Sequence, residues 1–341
     1  MDNKGISRRG FLTGAAAISA ALAGAGLTGC APKVVGVAGG AGSGTGSANS
    51  QTVGYDGTGV MPWLGEGPSI SDSDVAETLE ADVVVVGLGA SAAERVAGTK
   101  VIAIEASAQI NSVASDMAIL GGETMAKWGR GDGFLDKHMV VNMHMEEGSH
   151  HSNFGIISRY CDESGKALDW FVQGCPDMYI ASESYEEVPE ADRAHYLYPY
   201  FYPMLDEYDY TQEDMPCYPT SVGFASLATA MADNLKMAEA AGAEVRYNTK
   251  GVKLITADDG SVTGIYAQDT SANKYLKINA KSVILCTGDY LANEDMMKYF
   301  APACVENGNQ ILSLDLDAQG NYTNIGDGHK MGVWAGAAIE Q

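Results

Sequence analysis

The chain has 341 residues, of which 46% are apolar and 19% charged, so it can bury a sizeable core and is not disordered throughout. Its 21 lysines and arginines against 44 aspartates and glutamates give a net charge of −23. This balance argues against nucleic acid as a partner and against adsorption to anionic lipid through a basic face. Its six cysteines form no C-x-x-C pair, which leaves a zinc ribbon, a c-type haem and a thioredoxin-like motif unsupported.

Residues 1–30 are predicted to be an export signal. The stretch Ser7–Thr13, with Arg8 and Arg9, resembles the twin-arginine export motif. The Ala- and Gly-rich stretch up to Leu27 is too weakly apolar for a membrane span, and Cys30 ends a lipobox-like sequence and would be lipidated. The alternative is an ordinary amphipathic N-terminal helix. The signal predicts a lipid-anchored protein of the bacterial cell envelope, and the twin-arginine route favours one that takes up a redox cofactor before export.

Residues 31–73 are predicted to be a flexible linker. Between Val34 and Gly59, nine glycines lie among Ser, Ala and Thr without a hydrophobic period. A lipid on Cys30 would therefore hold the folded part near a membrane without fixing its orientation. The folded domain is predicted to cover residues 80–341.

A βαβ unit is predicted from residue 82 onward. Residues 82–86 are a short β-branched run typical of a buried parallel strand, and a brief helical stretch and a second buried strand over residues 101–104 follow. Gly87 and Glu105 are 18 residues apart, less than the roughly 20 typical of dinucleotide-binding units. The segment that connects the two strands is therefore only just long enough to close the βαβ unit. The alternative is a glycine-punctuated strand and turn without relevance to a cofactor.

Four residues of this unit are predicted to bind a dinucleotide. Gly87 would permit the tight turn after the first strand, and Gly89 would let the backbone approach the pyrophosphate at the helix N-terminus. Ala92 stands where the motif has its third glycine, a position that accepts Gly or Ala. Glu105, at the end of the second strand, would accept hydrogen bonds from the adenosine ribose.

Further elements predict an α/β fold. Strands near 245–247, 251–257, 261–268, 274–278 and 282–286, separated by turn residues, indicate a β-meander beside the parallel sheet. The stretch from Gly223 to Gly242 has apolar residues at helical spacing and is predicted to be an amphipathic helix that ends at Gly242.

Several motifs occur in the order in which one protein family has them. They are Ser164–Trp170, Ala240–Val245 with Thr249–Leu254, Asp258–Gly264, Ala280–Tyr290, and Gly326–Met331 followed by Trp334–Ala337. Together they resemble the flavoprotein subunits of the fumarate reductase and succinate dehydrogenase superfamily. The likeness is strongest to an exported bacterial branch that includes flavocytochrome-type fumarate reductases, urocanate reductases and 3-oxosteroid dehydrogenases, and it covers about residues 80–341.

The resemblance implies a Rossmann-like FAD-binding domain with FAD as its cofactor. It implies that Ala106 and Val252 contact the cofactor, the latter within the strand pair that backs onto the adenine. It also implies that Thr287 and Gly288 bring the backbone close to the FAD.

Two aspartates complete the expected site. Asp289 replaces the family's second glycine, a change with a steric cost if this backbone takes a positive φ. Asp327 could bond a hydroxyl on the flavin side, while the plainer interpretation is a helix N-cap. Both roles can coexist.

The resemblance also implies a reaction. FAD, reduced by a separate carrier, would pass a hydride to the activated C=C bond of a small-molecule substrate that resembles fumarate, urocanate or a 3-oxosteroid. Since the chain has no C-x-x-C-H motif, the electron donor is expected to be a membrane or extracytoplasmic cytochrome or flavoprotein.

No catalytic residue is carried over to this chain. In the family, the proton donor and substrate-binding groups lie in a capping domain after a His-Pro-Thr segment, and no residue up to Gln341 matches them. We therefore expect an incomplete FAD-binding domain without its capping domain. The alternatives are a surface lipoprotein that kept the fold but lost catalysis, and a truncated fragment.

Two further clusters favour structural interpretations. His138, His144, His150 and His151 lie among methionines, but gaps of six residues do not converge on one helix face, so solvated histidines are expected and no metal site. Nine tyrosines crowd residues 179–218. An irregular loop that covers a sheet face is favoured for them over an aromatic wall near the flavin.

Overall fold

A computed structural model of the chain describes residues 61–88, 99–110, 116–148, 150, 152–182, 190–200, 220–306, 316 and 320–339. The predicted signal with Arg8, Arg9 and Cys30 lies outside the described residues, as do Gly89 and Ala92. Across the described ranges, none of the helices combines the length and apolar character needed to cross a membrane.

The described ranges contain both strands and helices. In chain order the strands are β1 (Val75–Val86), β2 (Val101–Ile104), β3 (Asp116–Ala118), β4 (Tyr179–Ile180), β5 (Tyr196–Pro199), β6 (Ser221–Phe224), β7 (Glu244–Arg246), β8 (Thr249–Thr256), β9 (Val262–Asp269) and β10 (Lys274–Leu285). The helices are α1 (Glu123–Ala126), α2 (Lys137–Glu147), α3 (Phe154–Gln173), α4 (Leu227–Ala240), α5 (Glu294–Phe300), α6 (Pro302–Glu306) and α7 (Asp327–Trp334).

The larger sheet combines parallel and antiparallel strands in the order β7-β2-β1-β10-β9-β8. Strand β1 pairs in parallel with both β2 and β10, and β2 pairs in parallel with β7. Strands β8, β9 and β10 form an antiparallel meander. The predicted α/β fold, with a parallel sheet and a meander, is therefore confirmed.

The centre of this sheet is buried on both faces. Val84 and Val86 pack with Ile102 on one face, while Val85 packs with Val101 on the other. This alternation follows from the period of two along a strand. Strands β1 and β2 pair in parallel register from Val83–Val101 to Val86–Ile104, and residues 89–98 between them lie outside the described residues.

Some predicted boundaries in the sheet were wrong. The strands predicted at 274–278 and 282–286 are one strand, because β10 pairs with β1 along its length while its pairing with β9 stops at Asn279. The strand predicted at 245–247 is β7, which extends the parallel part rather than the meander. The predicted helix from Gly223 begins only at Leu227, after a strand and the N-cap Ser226.

A smaller sheet, β3-β6-β5-β4, was not predicted. It packs against α3 and α4 through its own apolar core, in which Phe171 and Phe224 lie edge to face at 5.8 Å between ring centroids. The loop expected for the tyrosine-rich stretch is wrong for β4 and β5. Tyr179, Tyr196 and Tyr198 stack there at centroid distances of 5.9 and 5.3 Å, while residues 201–218 lie outside the described ranges.

The linker predicted to extend through residue 73 ends earlier. Met61 and Trp63 are buried against Met296, and the Trp63 ring contacts those of Tyr299 and Phe300. Burial of these two large apolar side chains attaches the segment to the domain. The composition upstream is rich in Gly and Ser instead and is typical of a flexible linker.

Candidate cofactor site

A cavity lies at the edge of the larger sheet where β1, β2 and β10 end. Because these strands are parallel, their carboxyl ends meet at one edge, which is where ligands bind in open α/β sheets. The cavity has a volume of about 110 Å³. Its described lining combines glycines, small side chains, two carboxylates and one lysine: Val86, Gly87, Ile104, Glu105, Ala106, Ser107, Thr249, Lys250, Gly251, Cys286, Thr287, Gly288, Thr323 and Asp327.

Gly87 turns the chain at the end of β1. Its φ is +92°, in the left-handed region that favours glycine, and a Cβ there would overlap the carbonyl oxygen of Cys286. The Gly87 amide donates to the Ile104 carbonyl at 2.8 Å, and the Cys286 amide donates to the Val86 carbonyl at 2.8 Å. These hydrogen bonds join the ends of β1, β2 and β10 around a turn that carries no side chain at Gly87. The contact of Gly87 with a cofactor stays a prediction.

Glu105 presents its carboxylate at the end of β2. Its Oε2 accepts a hydrogen bond from the Leu88 amide at 2.7 Å, and its Oε1 accepts one from the Ser107 amide at 2.8 Å. These bonds fix the side chain and hold the turn after β1 against the end of β2. A carboxylate offers about four acceptor positions, so lone pairs remain for two vicinal ribose hydroxyls.

The bend Thr287–Gly288 follows β10 and lines the same cavity as Gly87 and Glu105. Gly288 has φ +73°. A Cβ at Gly328 would overlap the Thr287 hydroxyl, so this glycine allows the start of α7 to lie against the bend. The structure therefore brings together the two places on which a dinucleotide interpretation depends. Their contact with the cofactor stays a prediction.

Asp327 is the first residue of α7, and its carboxylate pairs with the Lys250 ammonium at 2.8 Å. The N-cap interpretation was wrong, since Gly326, with φ +78°, is the N-cap. The carboxylate lines the cavity, and the expected bond to a flavin-side hydroxyl stays a prediction.

Asp289 is not strained. Positive φ among the described non-glycine residues is confined to three other positions, so the expected steric cost does not arise. Its Oδ1 accepts hydrogen bonds from the Leu291 amide at 2.8 Å and from Asn324 Nδ2 at 3.1 Å. Its carbonyl accepts one from the Gly326 amide at 3.2 Å. The aspartate thus ties the bend to the segment that leads into α7.

Two other predicted residues differ in their placement. Ala106 lines the cavity, whereas Val252 does not. Val252 sits where the register of β8 against β9 shifts, between the pairs Gly251–Ala267 and Lys253–Tyr266. Such a bulge leaves a residue outside the regular ladder next to the lining residues Thr249–Gly251, an irregularity often found beside binding sites.

A second cavity of about 480 Å³ shares Cys286, Thr287 and Gly288 with the first. His329 lines it, with its ring edge to face with that of Tyr290 at 5.2 Å. Burial lowers the pKa of His329, and the negative charge of Asp289 opposes this shift. Burial of Tyr290 raises the pKa of its hydroxyl, and the negative charge of Asp289 raises it further. Both side chains are therefore neutral at neutral pH.

The largest of these cavities, about 900 Å³, lies beside α1 and α3. Asp169 lines it and accepts hydrogen bonds from the Glu123 and Thr124 amides at 2.6 and 2.7 Å, which caps α1. Gly121 and Gly122, with φ of +71° and +89°, lead into this helix. The cavity lies off the carboxyl edge of the parallel strands, so its greater size does not make it the dinucleotide site.

Other chemically interesting groups are dispersed. The Nε2 of His195 lies 2.9 Å from Oδ2 of Asp233. The other carboxylate oxygen of Asp233, Oδ1, pairs with Lys236. Of the residues that the structure describes, no three histidines, cysteines or acidic residues are placed to hold a metal ion. Of the described cysteines, Cys161 and Cys175 are buried, Cys286 is half-buried and Cys304 is exposed.

Lys250 and Ser107 line the cavity but were not predicted from the sequence. Lys250 falls in the quoted stretch Thr249–Leu254, yet no local pattern couples it to Asp327. Ser107 is 2% exposed, and its hydroxyl donates to the Leu316 carbonyl at 3.0 Å. The available signals were that Ser107 lies two residues after Glu105 and that Lys250 directly precedes the predicted strand 251–257.

Residues 82–341 match the model of a protein family described as FAD binding domain. Among curated proteins, a probable fumarate reductase of Shewanella frigidimarina is 35% identical over 104 residues, 30% of this chain and 16% of the relative. A urocanate reductase of Eggerthella lenta is 25% identical over 306 residues, 86% of this chain and 44% of the relative. The chain thus spans less than half the length of these relatives.

Solved structures share the fold. A flavocytochrome c3 fumarate reductase aligns with TM-score 0.53 and 21% identity, over 79% of this chain and 44% of that one. A 3-ketosteroid-Δ4-(5α)-dehydrogenase from Rhodococcus jostii aligns with TM-score 0.55 and 20% identity, over 78% and 56%.

The chemistry of the cavity fits the adenosine part of FAD: a bare turn at Gly87, free acceptor positions on Glu105 and a second glycine bend at Gly288. The chain belongs to the FAD-binding domain family within the fumarate reductase and succinate dehydrogenase flavoprotein superfamily, and its cofactor is FAD.

Proposed function

We propose that the chain is the FAD-binding part of an oxidoreductase that reduces an activated C=C bond of a small molecule with electrons from a separate carrier. The observation that carries this proposal is the convergence of Gly87, Glu105 and Thr287–Gly288 on one cavity in a chain of this family. Three curated relatives are named for reductions, of fumarate, vinyl phenol and urocanate. These three compounds share a conjugated carbon–carbon double bond.

The proposed division of labour follows from the site. Bound FAD supplies hydride transfer. The Gly87 turn and Glu105 would hold and orient its adenosine end, and the Thr287–Gly288 bend would let the cofactor lie close to the backbone. We assign no residue of this chain a role in proton donation or substrate binding.

A separate electron donor is part of the proposal. A membrane or extracytoplasmic cytochrome or flavoprotein would reduce the FAD, in keeping with the predicted export.

The reductase proposal is tested with FAD-loaded protein expressed at the full length of its relatives, because no residue of this chain is assigned a role in proton donation or substrate binding. We would reduce the flavin photochemically without oxygen and then add fumarate, urocanate or 4-vinylphenol while following the flavin absorbance. Rapid reoxidation by at least one of the three is expected. Reoxidation by oxygen alone would contradict the proposal.

We further propose that the protein is exported by the twin-arginine route and anchored by a lipid on Cys30. Replacing Arg8 and Arg9 by lysine should leave the precursor in the cytoplasm. Cys30→Ala should move the exported protein from the membrane fraction to the soluble fraction. Membrane association unchanged by Cys30→Ala would contradict the anchor.

The alternative of a lipoprotein that kept the fold but lost catalysis relied on the short βαβ connection and on Asp289. Neither departure disturbs the described residues. Strands β1 and β2 pair in register, and Asp289 makes two side-chain hydrogen bonds without a positive φ. Neither feature now favours loss of function.

A further inference from the structure

Lys250 and Asp327 form an ion pair at the cofactor cavity. Lys250 lies in β8 and Asp327 begins α7, and their charged atoms are 2.8 Å apart. The side chains are 33% and 22% exposed, respectively. Both line the cavity together with the Gly87 turn and the Thr287–Gly288 bend.

Acidic side chains outnumber basic ones in the described lining of this cavity. Glu105 and Asp327 are acidic, and Lys250 is the single basic side chain in the described lining. The whole chain carries a net charge of −23. FAD brings a diphosphate with two further negative charges. Without Lys250, these phosphates would enter a partly desolvated cavity that contains two carboxylates, and like charges repel more strongly as water is removed.

We propose that Lys250 neutralises the diphosphate of the bound cofactor and that Asp327 holds the lysine at the cavity. This inference rests on FAD occupying the cavity. An ammonium group has three N–H donors, so Lys250 can keep its bond to Asp327 and still donate to a phosphate oxygen. Lys250 is then the residue that favours ligands carrying a diphosphate over uncharged nucleosides.

A second lysine of the same strand serves as a matched control. Lys253 lies three residues further along β8, and its Nζ donates to the Pro68 carbonyl at 3.0 Å, outside the cavity lining. Removing its charge changes the net charge of the chain as much as removing that of Lys250. A difference between the two variants therefore reports on the cavity rather than on the overall electrostatic field.

The experiment measures flavin release from the full chain carrying FAD. Samples of wild type, Lys250→Gln, Lys250→Arg and Lys253→Gln are diluted and filtered at low and high ionic strength, and the yellow flavin in the filtrate is quantified. In parallel, adenosine and ADP are compared as competitors that displace FAD. Only ADP carries the diphosphate.

Lys250→Gln should weaken FAD retention roughly tenfold at low ionic strength, because a charged hydrogen bond is lost. It should weaken competition by ADP similarly and leave competition by adenosine unchanged. Lys253→Gln should match wild type, and Lys250→Arg should lie close to it. Equal FAD retention in Lys250→Gln and wild type, or equal weakening of adenosine and ADP, would overturn the proposal. Failure of every substrate to reoxidise the flavin of a protein at the full length of its relatives would contradict only the proposed reductase function.

Discussion

The two sheets of the molecule differ in what each of them supports. Both join distant segments of the chain, since β1 pairs with β10 about two hundred residues later and β3 pairs with β6 about a hundred residues later. The cofactor cavity is built at the edge of the larger sheet. The smaller sheet has a separate apolar core. Cofactor binding and stability are therefore expected to respond to different substitutions.

The largest effect on cofactor binding is expected from Gly87→Ala. The added Cβ overlaps the Cys286 carbonyl, and alanine disfavours φ +92°. Retention of FAD should fall by roughly a hundredfold or be lost, as measured by the flavin-to-protein ratio after purification. Gly260→Ala is the control, since Gly260 has φ +83° with no atom within 4 Å of an added Cβ. Full flavin content in Gly87→Ala would contradict the role of the turn.

Phe224→Ala tests the contribution of the smaller sheet to stability. Phe224 is 1% exposed and packs against Phe171, so its removal should lower the free energy of unfolding by about 3–5 kcal/mol. Retention of FAD by the folded protein should stay unchanged. Phe154→Ala, at a residue 59% exposed, should change stability little. A loss of flavin in proportion to the loss of stability would show that the two regions are coupled.

A smaller effect is expected from Asp289→Gly, which restores the residue typical of the family. The variant loses the hydrogen bonds from the Leu291 amide and Asn324 Nδ2, and stability should drop by about 1 kcal/mol. Asp289→Asn keeps an acceptor and should lose less. Chemical denaturation measures both. A stabilised Asp289→Gly would restore the idea of a strained backbone.

The smallest expected effect is a pH dependence from His329. Burial lowers the pKa of this histidine in the folded state below its ordinary value of 6.5, so the unfolded chain binds a proton more readily. Above that pH the histidine does not affect the free energy of unfolding, and as the pH falls below it the free energy of unfolding decreases. The thermal unfolding midpoint should fall less between pH about 7 and about 5 in His329→Gln than in wild type. Identical pH profiles would argue against this contribution.

The sequence predicted those parts of the site that depend on local pattern. The run from Asp82 to Glu105 carries its signal within a few residues, because a buried strand, a glycine turn and an acidic strand end each have a recognisable composition. The bend Thr287–Gly288 was expected from the family resemblance. The structure places them at one cavity. The N-cap interpretation of Asp327 failed because Gly326, with its positive φ, takes that position.

What the sequence did not show depends on contacts between distant segments. The pairing of Lys250 with Asp327 joins a strand to a helix much later in the chain. Strand β10 was predicted as two strands because its polar middle suggested a turn. The polar residues Lys281 and Ser282 are exposed where β9 no longer pairs with β10, and the pairing with β1 carries the strand through. Met61 and Trp63 were included in the linker because their buried partners lie far along the chain.

The most direct test of the central claim is a crystal structure of the full chain with FAD bound. The account predicts that the adenosine ribose hydroxyls lie within hydrogen-bond distance of the Glu105 carboxylate, and that the cofactor passes between the Gly87 turn and the Thr287–Gly288 bend. FAD bound in the cavity beside α1 and α3, with Glu105 making no contact to it, would contradict the account.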